Sequence, residues 1–89
     1  MASFVVQKFE LPLGRNVTVD LPMGSRLLHV GIQEEGLFIW AFVDPERPKE
    51  PRSFTVIRTG DPISWQAATF HIGTVICNAW VWHVFNGKW

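Results

Sequence analysis

Apolar and polar residues alternate with a period of two along most of this chain, and Pro, Gly or Asn interrupts the alternation every few residues. Residues 3–11 are rich in Val and Phe and lead into Pro12-Leu13-Gly14, a turn signal. Val17, Val19 and Leu21 alternate with Thr18 and Asp20, the pattern of a strand with one wet face. Pro22-Met23-Gly24-Ser25 is the next turn. Over residues 26–33, Leu28, Val30 and Ile32 fall on one face, and Glu34-Glu35-Gly36 makes a short hairpin connection.

Residues 37–43, Leu-Phe-Ile-Trp-Ala-Phe-Val, contain no polar member. Such a strand is expected at the centre of a sheet, covered on both faces, with Trp40 in the core. A buried helix is the competing reading; the β-branched and aromatic content and the bounding Gly36 and Pro45 favour the strand. Residues 44–51 hold three prolines and predict an irregular connection. Residues 53–59 predict a strand, with Phe54, Val56 and Arg58 on one face and Thr55, Ile57 and Thr59 on the other. Gly60-Asp61-Pro62 reads as a turn, and residues 63–68 leave room for one helical turn. Residues 69–77 and 79–85 read as a last hairpin around Asn78. The pattern predicts one all-β domain over residues 1–89, a small antiparallel barrel or sandwich of six or seven short strands.

Composition narrows the function classes. Apolar residues make up 47% and charged residues 18% of the chain, the latter below the usual quarter. That leaves little polar cover and favours a homo-oligomer. Eight basic residues balance eight acidic ones, and no Lys/Arg cluster is placed to neutralise a phosphate backbone. General nucleic-acid binding is therefore not expected. The mixed charges of residues 46–52 read as a solvated loop. A single cysteine, Cys77, lies in an apolar run and excludes both an internal disulfide and a multi-cysteine zinc site. The start of the chain lacks the pattern of a secretion signal. The longest apolar run is too short for a membrane span.

Candidate chemistry is sparse. Asp20, Asp44 and Asp61 stand beside or one residue from prolines, where Asp serves turn amides, and no nucleophile–base pair is apparent. His71, His83 and Cys77 have no metal-ligand spacing, so neither a metal nor a cofactor is expected. Arg58-Thr59-Gly60, with Arg52 nearby, is the best candidate for holding a small anion: an arginine fork, a hydroxyl and a glycine turn converge there. The aromatic chain end supplies the candidate interface, Trp80, Trp82, His83 and Trp89. Trp80 and Trp82 share a strand face, where they pack in the core, stack on a base or fill a partner's pocket.

Several phrases in order carry a family resemblance: Val19-Asp20-Leu21-Pro22 with Gly24, Trp40-Ala41-Phe42-Val43-Asp44-Pro45, Thr59-Gly60-Asp61-Pro62-Ile63, Ile72-Gly73-Thr74 and Trp82-His83-Val84-Phe85. In this order the chain resembles a family of short proteins of unknown function encoded by tailed bacteriophages and prophages. The Lys88-Trp89 extension departs from that pattern. The resemblance implies a viral origin and action in the bacterial cytoplasm, and it brings no catalytic residues. Three functions fit. One is a non-enzymatic accessory protein that binds and modulates a host protein. Another is a binder of a small nucleotide-like signal used in host defence. The third is a minor virion or assembly component.

Overall fold

The computed structural model describes residues 3–34 and 36–87. Among these residues are seven strands and one turn of 3-10 helix: β1 Val5–Glu10, β2 Val17–Pro22, β3 Arg26–Gln33, β4 Gly36–Val43, β5 Lys49–Arg58, the helix Ala67–Phe70, β6 His71–Cys77 and β7 Trp80–Asn86. They form two antiparallel sheets, β1-β4-β3 and β2-β5-β7-β6. Between them lies a core that includes Leu11, Leu21, Val30, Leu37, Ile39, Phe54, Val56, Val75 and Val84. The sheets draw together along one side, where edge strands β3 and β6 meet. Gly73 makes that approach possible: a Cβ there would collide with the Cγ1 methyl of Val30. Among the described residues no helix is long and apolar enough to cross a membrane.

Turn chemistry fixes the hairpins. Gln33 pairs with Gly36 at the β3–β4 connection, where Glu34 takes a positive φ of 51°; Glu35 lies outside the described residues. Cys77 pairs with Trp80 across Asn78 and Ala79, at φ 53° and 66°. Two consecutive left-handed residues give the turn twist that matches a tight hairpin.

Four sequence expectations need correction. β4 is central in its sheet but is covered by the described residues on one face only. Leu37, Ile39, Ala41 and Val43 are buried, whereas Phe38 and Trp40 are half-buried and Phe42 is exposed on the outer face. Trp40 is thus not a core residue. The strand buried on both faces is β5, in which Phe54, Thr55, Val56 and Ile57 are all buried. Thr55 can be polar there because its hydroxyl donates to the Gly87 carbonyl at 3.0 Å. The proline-rich connection ends earlier than its composition suggests, since β5 begins at Lys49 and includes Pro51, opposite Asp20 of β2. The β7 ladder starts only at Phe54, so the first half of β5 has a partner on one side, and a strand tolerates proline where no ladder bond is needed. Leu28 does not share the face of Val30. A bulge between Leu27 and His29 leaves Leu28 unpaired and turns Leu27 toward the core. Finally, Thr69 and Phe70 belong to the 3-10 helix, and β6 starts at His71.

Candidate binding cleft

The two edge strands that close the sandwich each carry one bulge, between Leu27 and His29 in β3 and between His71 and Gly73 in β6. The unpaired residues, Leu28 and Ile72, both line a cleft of about 520 Å³. Bulges splay a strand and re-aim its side chains, which is why they cluster beside binding sites. Arg52 reaches this cleft from the core-side face of β5, and Asn86 from β7. Arg52 is half-buried, and its Nη1 donates to the Ser25 carbonyl at 3.1 Å, which holds one side of the guanidinium. Arg26 approaches from β3 and His71 from β6, while Phe70 is 62% exposed at the rim. Every charged or titratable residue lining the cleft is basic: Arg26, Arg52 and His71. In a chain of zero net charge, Arg26 and Arg52 make this a local excess of positive potential. A second hollow, of about 220 Å³, lies by Leu11, Leu37 and Cys77, and its charged residue is acidic, Glu10.

The residues expected to hold an anion divide between two places. Arg52 lines the cleft. Arg58, Thr59 and Gly60 lie at the far end of β5, and their groups are largely taken. Asp61 Oδ2 accepts the Arg58 backbone N–H at 3.0 Å and stands 3.7 Å from Arg58 Nε. The Thr59 N–H donates to Val81 O and the Asp61 N–H to Arg58 O. The guanidinium also lies 4.6 Å from the centre of the Trp80 ring. Gly60, at φ 96°, has open space around it. An external anion at this turn would have to compete with the Asp61 carboxylate already there.

The expected interface residues do not form one surface. β7 is an interior strand, paired by β5 and β6. Trp82 packs against the core, and Trp80, 53% exposed, lies at the end of the same face. His83 lies on the opposite face. Its Nε2 is 2.7 Å from Thr59 Oγ1 and its Nδ1 3.0 Å from Thr74 Oγ1, which in turn is 3.0 Å from His71 Nε2. This chain of hydroxyls and imidazoles ties β6, β7 and the turn after β5 together. The hydrogen bonds of His83 among the described residues are to hydroxyls. Cys77 is buried on the other face of β6, away from both histidines, and no group of three metal-ligating side chains forms among the described residues. Trp89 lies outside the described residues.

Sequence reading misses Arg26, Phe70 and the outer face of β4. Arg26 stands 26 residues from Arg52 in the chain, and only the β3–β6 closure brings both to one cleft. The aromatic alternation of Phe38, Trp40 and Phe42 is visible in the sequence, but equally apolar residues between them disguise which face is open. The family described as a domain of unknown function, DUF7352, matches residues 3–88, so the chain belongs to that family. No curated protein and no solved structure matches it.

Proposed function

We propose that the protein is a non-enzymatic binding module that takes a small phosphate-bearing ligand in the cleft between β3 and β6. The supporting observation is the charge of the lining. Arg26, Arg52 and His71 all line it, with no acidic residue among the described residues there. Arginine's planar fork suits phosphate oxygens, and Arg52 is already oriented by its bond to Ser25. The apolar Leu28 and Ile72 and the exposed Phe70 ring give the uncharged part of a nucleotide-like ligand a surface. In the setting implied by the resemblance to phage-encoded proteins, the module acts in the host cytoplasm. There it modulates a host process by sequestering such a ligand.

Calorimetric titration with inorganic phosphate, adenosine monophosphate and cyclic dinucleotides tests this reading. Wild-type protein is expected to bind at least one of the nucleotides. Arg52→Gln and Arg26→Gln should each weaken it at least tenfold, and Arg58→Ala should leave it unchanged. Binding lost with Arg58 and kept without Arg52 would move the site to the turn after β5.

A second reading, direct docking on a host protein, draws on Trp65, which is 84% exposed, and Ile76, 71% exposed. Large apolar side chains left in water suit burial in a partner. Cross-linking from infected-cell lysate, lost in Trp65→Ser, would favour it.

A further inference from the structure

The outer face of the three-stranded sheet is built from alternate residues of β4, Phe38, Trp40 and Phe42, with Lys8 and His29 directly across from Trp40 on β1 and β3. Two glycines on this face leave its rings room to lie down. A Cβ on Gly31 would come within 3.3 Å of Trp40 Cζ3, and one on Gly36 within 3.0 Å of Phe38 Cε2. A ring leaning over a glycine rests on backbone and turns a face outward. The neighbouring rings are already occupied. Lys8 Nζ lies 4.6 Å from the Phe38 centroid, Arg26 lies 5.8 Å from that of Phe42, and Phe4 stacks on Phe42 at 5.1 Å. Among the described residues the ring neighbours of Trp40 are tilted, His29 at 5.7 Å and Phe38 at 6.3 Å. The result is an indole platform flanked by Arg26 and by Lys8, which also donates to Gln33 Oε1, with the acidic Glu10 opposite Phe38 on β1. Arg26 belongs both to this face and to the cleft.

We propose that this face, continuous with the cleft through Arg26, binds a short single-stranded oligonucleotide, with one base stacked on Trp40 and phosphates at Lys8, Arg26 and Arg52. The inference rests on the cleft reading and extends it from one nucleotide to several. Stacking suits a planar base of any sequence, and the few cations match a ligand of few phosphates. A long duplex, which the balanced charge of the chain disfavours, is not the expected partner.

Fluorescence anisotropy with labelled deoxythymidine pentanucleotide, beside calorimetry with adenosine monophosphate, tests it. The pentanucleotide should bind at least tenfold more tightly than the mononucleotide. Its affinity should fall with salt with a log–log slope of about −2, as for about three phosphate contacts on a single strand. Trp40→Leu, which keeps apolar volume but removes the stacking plane, should weaken the pentanucleotide about tenfold and leave the mononucleotide unchanged; Trp40→Phe should retain most of the binding. Arg52→Gln should weaken both ligands. Mononucleotide binding with no gain for the pentanucleotide would overturn the platform and leave the cleft standing. Pentanucleotide binding that needs Trp40 but not Arg52 would support the platform and overturn the cleft. A dimer that Trp40→Leu dissociates, with no pentanucleotide bound, would show that a second copy covers this face and would overturn the proposal.

Discussion

At the scale of single residues, burial decides what each aromatic is for. Phe54 is fully buried at the junction of β2, β5 and β7. Phe54→Ala should cost about 3–5 kcal/mol, enough to unfold a domain of this size, as thermal denaturation would show. Trp40→Ala should cost only about 1–2 kcal/mol, because a half-buried ring forfeits part of that burial. A loss as large as that for Phe54 would mean that the outer face is covered. Gly73 makes the opposite point. Its φ is not positive, so its requirement is steric: a methyl group meets Val30 where the two sheets close. Gly73→Ala should destabilise by about 1–3 kcal/mol through overpacking. It should also reduce ligand affinity, since the same closure forms the cleft.

At the scale of elements, the β6–β7 hairpin carries a correctable cost. Asn78 tolerates the left-handed region; Ala79, at φ 66°, does not adopt it readily. Ala79→Gly should therefore stabilise the protein by about 0.5–1 kcal/mol, with the relief of strain exceeding the added entropy of the unfolded chain. Differential scanning calorimetry should show the melting temperature rising by several degrees, and a fall would mean that the turn is not strained. The same hairpin was legible in the sequence, since Asn78 separates two apolar runs. The bulges at Leu28 and Ile72 were not. An extra residue in a strand leaves no mark in a period-two pattern until the partner's register is known.

At the scale of the whole molecule, the free edges matter. β3 and β6 meet each other, which leaves β1 and β2 as the other sheet edges. β1 exposes Val5 at 45% and Val6 at 59%, with Phe4 just before it at 56%. An edge strand with apolar residues open on both faces is a template for pairing. We expect a symmetric dimer through β1 at tens of micromolar, which would leave the Trp40 platform accessible and double its length. Analytical ultracentrifugation should show it, and Val5→Lys should yield a folded monomer. A wild-type monomer would assign these side chains elsewhere.

The class was legible along the chain: alternating runs mark strands, because a period of two follows from backbone geometry alone, and the short Pro, Gly and Asn breaks between them suit antiparallel hairpins rather than crossovers. The sequence also offered Arg58, Thr59 and Gly60, with Arg52, as groups suited to phosphate, since that capacity resides in the guanidinium itself. Which face of β4 meets water, whether Arg58 is free or held by Asp61, and whether Arg26 and Arg52 share a cleft were decided only by the tertiary structure. Each depends on a partner distant in sequence or on a competing local contact. Burial and charge convergence are properties of the closed sandwich, and no window along the chain contains them.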